Sequence, residues 1–552
     1  MRSNMPLDKS DKRRKLMEGY KKLSPFELKD KLLDLAKATQ KKRVRAMFNA
    51  GRGNPNWTAA TPRQAFFTLG QFAVEETQRI WKDGDLAGMP YGKGIADRFY
   101  TFVKEHKDSP GIELLKNIVD YGITKHNFEP NRWIYELVDG IIADNYPVPD
   151  RMLLHTEQIV HDYIMRELCS NQPIEGKFDL FAVEGGTAAM CYIFDSLVAN
   201  HLLEKGDRIA LMVPIFTPYL EIPHLSRYDF QITPIFANAH NDEGYHTWQY
   251  TNEELDKISD ANVKALFVVN PSNPPSVAIN NESMEYLKSI VKNKNPNLMI
   301  ITDDVYGTFV DDFHSIMSEL PYNTIGVYSY SKYFGATGWR LGVIALHQKN
   351  VFDQLITELP QDHKKDLLNR YETITTEPEK IQFINRIVAD SRQVALNHTA
   401  GLSTPQQVQM AIFSAFALLD EEDKYKSQTK AICRHRKKLL FDHLGGIKIL
   451  DDKNSTSYYT QIDLMVWGKI KYGEEFIQYL KENYYPTDLL FRLAEEDSIV
   501  LLNGAGFKGP EWSIRISLAN LQNEDYIEIG KALNRAFEDY ADDWRASLKK
   551  NN

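Results

Sequence analysis

The sequence has few cysteines, no excess of basic charge and no long apolar run. Its 552 residues include three widely spaced cysteines, Cys169, Cys191 and Cys433, which is typical of reduced core thiols rather than a disulfide framework. Acidic residues outnumber basic residues by 75 to 66, and the net charge of −9 gives no electrostatic reason to expect nucleic acid as a partner. No apolar stretch approaches the roughly 18–20 residues of a membrane helix, so no membrane partner is expected.

Two further absences bear on the cellular location of the protein and on metal binding. The first residues, Met1 to Lys9, do not form the apolar core of a secretory signal. Together with the few cysteines, this predicts a cytoplasmic protein. No metal-ligand spacing is visible, so the sequence predicts no metal site. The chain is 43% hydrophobic and long enough for two or more domains, each with its own core.

The most informative feature is the stretch from Tyr328 to Gly342, in which Lys332 follows two serines and precedes Arg340 by eight residues. The lysine amine can form a Schiff base with an aldehyde cofactor, while Ser329 and Arg340 can bind a phosphate group. The stretch resembles the cofactor lysine of the fold-type-I pyridoxal-phosphate enzymes, the aspartate aminotransferase superfamily. The resemblance implies pyridoxal 5′-phosphate as the cofactor and Lys332 as the catalytic residue.

Two upstream segments resemble the part of that family's site that holds the cofactor ring. An apolar run leads into Asp303-Asp304-Val305-Tyr306, and the family's Asp-x-x-Tyr spacing selects Asp303, with Asp304 as the rival. A buried carboxylate there would keep the ring nitrogen protonated. The resemblance gives Tyr306 a hydrogen bond to the ring hydroxyl oxygen. It gives Asn273, from a loop similar to the family's Asn-Pro-x-Asn-Pro-Thr-Gly, a second hydrogen bond to the same oxygen.

Two more segments match the places where the family binds the phosphate and stacks the ring. Residues 181–190 show an apolar run, a glycine turn and a helix start, so Gly186 and Thr187 are candidates to donate backbone N–H groups to a phosphate. Phe216 stands where the family has a ring-stacking aromatic residue. Each feature taken singly also has an ordinary structural explanation, as a turn or as part of a core.

The resemblance also assigns residues to the substrate and to a second subunit. Arg515 matches the late-strand arginine that binds the substrate α-carboxylate through two hydrogen bonds. Tyr135 matches a Tyr-x4-Gly motif whose tyrosine reaches the cofactor phosphate of a partner subunit, which implies a homodimer or a larger homo-oligomer built from dimers. Arg52 and Arg392 are candidates for the distal substrate carboxylate, and a solvent-exposed or structural role is open for each. Arg52 comes first, because Gly53-Asn54-Pro55 resembles the family's substrate-contacting Gly-x-Pro.

Seven apolar runs bounded by turns predict the architecture. Their near-continuous Val, Ile, Leu and Phe content is typical of parallel strands covered on both faces. They lie at about 178–185, 207–215, 229–237, 263–270, 298–305, 324–330 and 341–347. We expect the fold-type-I α/β architecture, with a seven-stranded, mostly parallel sheet in a large domain and a small α+β domain built from both termini. The predicted ranges are an arm at 1–25, the small domain at 26–60 and 416–552, and the large domain at 61–415.

A charged helical insertion at about 350–397 and an N-terminal extension narrow the resemblance to the bifunctional aspartate decarboxylase and aminotransferase group of the superfamily. That group's chemistry implies conversion of L-aspartate into L-alanine and CO₂, with side aspartate aminotransferase activity on 2-oxo acids. The alternatives are a plain aminotransferase of dicarboxylic or other amino acids and a lyase acting at C–S bonds. A transcription regulator with an aminotransferase-like domain would need a DNA-binding module, and residues 1–60 show no clear helix-turn-helix.

Overall fold

The computed structural model describes residues 17, 20, 23–43, 47–81, 88–146, 151–392, 401–450 and 452–551. Most of the predicted arm at 1–25 therefore lies outside the described residues, as do the last residues of the predicted insertion, 393–397. Across the part of the chain that is described, no helix has both the length and the apolar character needed to span a membrane.

The strands follow the apolar runs of the sequence closely. In chain order they are β1 (Phe48–Asn49), β2 (Phe178–Val183), β3 (Arg208–Val213), β4 (Gln231–Phe236), β5 (Val263–Val269), β6 (Met299–Asp303), β7 (Thr324–Ser329), β8 (Gly342–His347), β9 (Tyr459–Asp463), β10 (Ile499–Val500), β11 (Leu502–Asn503) and β12 (Ser513–Ser517). All seven predicted runs correspond to β2 through β8. Apart from the edge strand β4, which is only partly buried, their apolar side chains are buried on both faces of the sheet, which explains why the runs are continuous rather than alternating.

Helices cover this framework and build most of the rest of the molecule. They are Pro25–Arg43, Ala60–Gln78, Ile95–Glu105, Ile112–His126, Pro130–Ile142, Leu154–Cys169, Gly186–Ala199, Pro218–Glu221, Asn252–Asp256, Asn281–Asn293, Ile316–Glu319, Val351–Glu358, Gln361–Tyr371, Phe383–Ser391, Thr404–Leu419, Lys424–Phe441, Leu464–Tyr472, Glu474–Asn483, Asp488–Arg492 and Asn523–Asn551. The four helices from Ala60–Gln78 through Pro130–Ile142 form a separate apolar cluster with Thr404–Leu419.

The large sheet has the strand order β2-β8-β7-β6-β5-β3-β4. Strand β8 runs antiparallel to β2 and β7, and the remaining neighbours are parallel. The predicted seven-stranded, mostly parallel sheet is therefore confirmed. Because β5, β6 and β7 run in the same direction, their carboxyl ends meet at one edge, where open α/β sheets bind their ligands. Asp303 ends β6 and Ser329 ends β7 at that edge.

A second, smaller hydrophobic core joins the two ends of the chain. Leu32 and Ala36 of the helix Pro25–Arg43 pack with residues from 440 to 541. Strands β11, β12 and β9 form an antiparallel sheet there, and β1 pairs in parallel with β10. This is the expected α+β unit built from both termini. The exact domain boundaries at 25, 60 and 415 stay predictions.

The region of the predicted insertion contains the helices Val351–Glu358, Gln361–Tyr371 and Phe383–Ser391. The last of these packs on Gly186–Ala199, the helix that starts at the ligand edge of the sheet. Buried Asp390 accepts hydrogen bonds from Ser196 at 2.8 Å and from Asn200 at 3.0 Å. A polar network therefore fastens the insertion to the far end of a helix whose first turn faces the cavity described below.

Candidate active site

A cavity of about 660 Å³ lies at the carboxyl edge of the large sheet, against the smaller core. Twelve of the fourteen site residues predicted from the sequence line it: Arg52, Gly53, Gly186, Thr187, Phe216, Asn273, Asp303, Tyr306, Ser329, Lys332, Arg340 and Arg515. They come from segments far apart in the chain. Strand ends, the start of one helix and the loop after β1 bring them together.

The amine of Lys332 points at the loop after β1. Its Nζ donates to the carbonyl of Gly53 at 3.0 Å, and the Tyr458 hydroxyl donates to the same carbonyl at 2.9 Å. A Cβ at position 53 would lie 2.6 Å from the Tyr459 hydroxyl oxygen and 3.3 Å from the lysine Nζ. Glycine is therefore the residue that lets this backbone come so close to the lysine.

The main chain after Lys332 is held by side chains from three other elements. Arg63 donates to the carbonyls of residues 334 and 335 at 3.2 and 2.9 Å. Trp57 Nε1 and the Tyr425 hydroxyl both donate to the carbonyl of residue 333, at 3.0 and 2.8 Å. These four hydrogen bonds fix the main-chain turn that carries the lysine.

The carboxylate at the end of β6 is buried and hydrogen-bonded. Asp303 is 8% exposed, and its Oδ2 accepts a 2.6 Å hydrogen bond from the Tyr219 hydroxyl. Burial raises the pKa of the Asp303 carboxyl, and the hydrogen bond from Tyr219 opposes that rise. Its neighbour Asp304 is directed away from the cavity and accepts from Thr302 and Ser315 instead. The geometry thus favours Asp303 over Asp304 as the carboxylate that meets a ligand.

One end of the cavity is suited to an anion. The helix Gly186–Ala199 begins there, and no described side chain caps its first turn. Its N–H groups are therefore open to a ligand, at the end where the helix dipole favours negative charge. Arg340 lies beside this turn and donates to the carbonyls of Thr337 and Glu184 at 2.9 and 3.1 Å. A Cβ at Gly185 would lie 2.6 Å from the guanidinium, so a glycine is required before this helix.

The opposite side of the cavity holds a buried arginine. Arg515 on β12 is 4% exposed and donates to Asn273 Oδ1 at 3.2 Å and to the carbonyl of Gly51 at 2.7 Å. Its guanidinium lies between the rings of Tyr459 and Phe507, 4.5 and 4.9 Å from their centres. Its Nε has no hydrogen-bond partner among the described residues. A carboxylate in the cavity would satisfy this buried donor.

Three residues of the site escaped the sequence analysis. Tyr219 meets Asp303, Tyr459 lies 3.0 Å from the Tyr306 hydroxyl, and Lys29 of the helix Pro25–Arg43 lines the same cavity. Burial raises the pKa of the Tyr306 hydroxyl well above its usual range, so it stays protonated and able to donate. A weak signal for Tyr219 was its position three residues after Phe216. Nothing in the local sequence marks Lys29 or Tyr459.

Two predicted residues lie away from the cavity. Tyr135, on Pro130–Ile142, is half-buried beside Gly92, and its role toward a second subunit stays a prediction. Arg392 is buried beside Gly401 and is not among the described residues that line the cavity. Arg52, in contrast, lines the cavity from an exposed loop. The geometry therefore favours Arg52 over Arg392 for a distal substrate group.

The arrangement agrees with what comparison with known proteins finds. A family model described as aminotransferase class I and II matches residues 182–533. The chain belongs to this family. A relative from Pseudomonas sp is 49% identical over 526 residues, which is 95% of this chain and 97% of the relative. That protein is described as a bifunctional aspartate aminotransferase and L-aspartate beta-decarboxylase.

Solved structures show the same fold at low sequence identity. The aromatic aminotransferase from Pyrococcus horikoshii OT3 superposes with a TM-score of 0.56 at 17% identity, covering 91% of this chain and 98% of its own. A double mutant of the Thermus thermophilus aspartate aminotransferase gives a TM-score of 0.55 at 14% identity, covering 97% and 100%. The predicted fold-type-I architecture is thereby confirmed. At such identities the likeness concerns the fold alone.

Proposed function

We propose that the protein is a pyridoxal-phosphate-dependent L-aspartate β-decarboxylase that forms L-alanine and CO₂, with aspartate aminotransferase as a second activity. The observation that carries the proposal is the 49% identity to the bifunctional Pseudomonas relative, which extends over 95% of the chain. Similarity of that extent reaches well beyond residues 182–533, which the family model matches. The cavity supplies the groups that the chemistry needs.

The donor set of the cavity fits pyridoxal phosphate. Lys332 offers a primary amine for the aldehyde, and Asp303 offers a buried carboxylate for the ring nitrogen. The uncapped start of Gly186–Ala199, with Arg340 beside it, suits the phosphate. Asn273 and Tyr306 line the wall where they can hydrogen-bond the ring hydroxyl oxygen, and Phe216 can stack on the ring. When bound, the cofactor supplies an electron sink for charge that develops at the substrate carbon.

The two carboxylates of aspartate match cations of unequal burial. Arg515 is rigidly held by hydrogen bonds and by two aromatic rings, so it suits the α-carboxylate, whose position must be fixed. Arg52 and Lys29 line the cavity from an exposed loop and from the start of a helix. They suit the distal carboxylate. A dicarboxylic amino acid thus has a partner for each of its anionic groups.

Lys332 carries out the proton transfers. Once its amine is free, Lys332 is placed to take the proton from the substrate α-carbon and to return protons later, as a general base and then as a general acid. The turn that carries it is fixed by the hydrogen bonds from Arg63, Trp57 and Tyr425. Restricting the amine in this way holds it near the reacting carbon.

The looseness of the distal contact favours loss of CO₂. A rigid two-pronged arginine would stabilise the distal carboxylate as an anion and so oppose its departure as a neutral molecule. Arg52 is instead exposed, on the same loop as Gly53, whose carbonyl accepts from Lys332. A mobile cation can attract aspartate into the cavity without stabilising the distal carboxylate in the form that precedes loss of CO₂. Water access to the cavity then sets the share of transamination.

The decisive experiment is incubation of the holoenzyme with L-aspartate while CO₂ and L-alanine are measured together. Stoichiometric release of both, without an added 2-oxo acid, would support the proposal. Turnover only after 2-oxoglutarate is added, with oxaloacetate and glutamate as products, would show a plain aminotransferase. Lys332→Ala is the matched control. It should lose at least about 10²- to 10⁴-fold in rate, the usual contribution of a general acid–base group.

A further inference from the structure

A cluster of metal-ligating side chains lies on the surface, outside the cavity. His201 and Glu204 follow the helix Gly186–Ala199, and His363 and Asp366 belong to the helix Gln361–Tyr371 of the insertion. The ligand atoms of His201, Glu204 and His363 all lie within 4.8 Å of one another. Asp366 lies beside this group, with its Oδ2 at 3.8 Å from His201 Nε2, and can join it by rotation of its side chain. Two imidazoles and one carboxylate thus converge from two segments of the chain, and a second carboxylate is within reach.

The distances are close to those of a tetrahedral metal site. Zinc binds nitrogen and oxygen at about 2.0–2.2 Å, so neighbouring ligand atoms of a tetrahedral site are roughly 3.4 Å apart. His363 Nε2 lies 3.6 Å from Glu204 Oε1, and the His201–Asp366 pair is 3.8 Å apart. Small side-chain rotations would close these gaps. Each of the four side chains is at least a quarter exposed, which leaves a path for an ion from solvent.

The two imidazole rings stack with centres 4.0 Å apart and planes 12° from parallel. Because a ring nitrogen binds a metal through a lone pair in the plane of the ring, binding of one ion by both histidines requires the rings to turn out of this stack. Nδ1 of His363 is buried and has no hydrogen-bond partner in the described part of the chain. Nε2 is the nitrogen of that ring that faces Glu204.

We propose that His201, Glu204, His363 and Asp366 bind one divalent transition-metal ion, with Zn²⁺ as the ion that this ligand set suits best. The ion joins the insertion to the end of the helix Gly186–Ala199, whose other end faces the cavity. Its role is structural, because the four ligands leave no open position for a substrate. Sequence spacing gives no cue to the site, since each segment holds only one histidine and the two segments lie far apart in the chain.

The test uses untagged holoenzyme treated with a chelator and then titrated with Co²⁺ and, separately, with Zn²⁺. We expect one Co²⁺ per subunit with the visible absorption of a tetrahedral site, and a higher melting temperature in Zn²⁺. His201→Ala and His363→Ala should each weaken Co²⁺ binding by at least about 10- to 100-fold. Loss of a residue that only hydrogen-bonds to a metal ligand already costs that much, and these residues are proposed as ligands themselves. Both variants should still turn over L-aspartate, because neither histidine touches the cavity.

His224→Ala is the matched control, since that histidine is exposed and lies outside the cluster. It should bind Co²⁺ as the unaltered protein does. Two results would overturn the proposal: no tetrahedral Co²⁺ spectrum in the unaltered protein, or equal Co²⁺ binding by the His201 and His363 variants. A Zn²⁺ effect on melting that persists in the double variant would place the ion elsewhere, at the cofactor or another surface group, and would equally overturn it.

Discussion

The hydrogen bond from Tyr219 to Asp303 tests how the chain controls its buried carboxylate. Tyr219→Phe removes a 2.6 Å hydrogen bond to an ionised group, which is worth about 1.5–3 kcal/mol. We expect kcat/KM to fall about 10- to 100-fold. The lost hydrogen bond had lowered the pKa of Asp303, so that pKa rises in the variant. Because the ionised form is the active one, the acid limb of the pH profile moves to higher pH.

Two measurements check this prediction: the pH dependence of kcat/KM and the pH dependence of the bound cofactor's absorption band. A purely structural role for Tyr219 would lower activity without moving either profile. Tyr250→Phe is a suitable control, because Tyr250 is buried on the far side of the sheet and does not line the cavity. A Tyr219→Phe protein with unshifted profiles would contradict the assignment.

Arg52 is the residue on which substrate selection depends in the proposed function. Arg52→Ala should raise the Michaelis constant for L-aspartate far more than that for L-alanine, which lacks the distal carboxylate. A solvent-exposed charge pair contributes about 1 kcal/mol or less, so we expect roughly a 2- to 5-fold increase in the Michaelis constant for aspartate. Arg52→Lys, which keeps the charge, should recover part of the difference. Equal increases for both amino acids would rule out a distal contact.

Some residues of the candidate site can be recognised from the sequence around them, and others cannot. Lys332, Asp303 and Asn273 stand in motifs whose spacing is set by a strand end, and the structure places all three on one cavity wall. Tyr219, Tyr459 and Lys29 could not be found in this way. Tyr459 meets Tyr306 across 153 positions of sequence, and Lys29 comes from a helix with no visible link to the sheet. Contacts of this kind depend on packing between domains, which one sequence does not encode locally.

At the scale of elements, the network around Asp390 should decide whether the insertion stays docked. This buried carboxylate accepts hydrogen bonds from Ser196, Asn200 and Tyr371 and pairs with Arg370 at 2.9 Å. Asp390→Ala leaves the buried donors of Ser196 and Asn200 without this acceptor, whereas Arg370 is partly exposed and can turn to water. An unsatisfied buried donor costs about 1–3 kcal/mol. We expect a clearly lower melting temperature and, because the helix Gly186–Ala199 loses its anchor, faster loss of the cofactor.

Glu379→Ala is the control for this prediction, since Glu379 is exposed in the same insertion. Its stability should change by no more than about 0.5 kcal/mol. Thermal unfolding and the rate of cofactor release on dilution are the two measurements. If Asp390→Ala melts like the Glu379 variant, the insertion is held by its apolar contacts alone.

The elements of the sheet were predictable for a physical reason. Strands β2, β3 and β5 to β8 are largely buried on both faces, so each appears in the sequence as a continuous apolar run bounded by turns. The edge strand β4 is only partly buried. The anchoring of the insertion was not predictable. Its sequence is rich in charge, and only the structure shows that Arg386 and Asp390 face inward while Glu377, Glu379 and Lys380 face solvent. Charge alone does not say which side of a helix is covered.

At the scale of the whole molecule, the two ends of the chain meet in one core, so the cavity depends on both. Leu32 and Ala36 near one end pack with the elements that carry Tyr459 and Arg515 near the other. Lys29, on the same helix as Leu32, lines the cavity. Movement of this smaller unit would therefore shift Lys29 and Arg515 together relative to Lys332. The large sheet supplies one half of the cavity lining, and both termini supply the half that selects the substrate in the proposed function.

The assembly is the remaining property at this scale, and Tyr135 offers a direct test of it. Tyr135 is half-buried on Pro130–Ile142 and does not line the cavity of its own chain. If it serves the cofactor of a partner subunit, Tyr135→Ala and Lys332→Ala should each lose activity alone. Co-expressed in equal amounts, they should recover about a quarter of the unaltered activity. Random pairing makes half of the dimers mixed, and each mixed dimer has one complete site of two.

The control pairs Lys332→Ala with Asp303→Ala. Both residues line the same cavity, so no mixed dimer from this pair contains a complete site, and no recovery is expected. Recovery with Tyr135 but not with Asp303 would establish that each site is built from two subunits. Absence of recovery in both mixtures would show that Tyr135 acts within its own chain, as part of the helical layer beside Gly92. The contacts that form a dimer would then lie elsewhere on the protein.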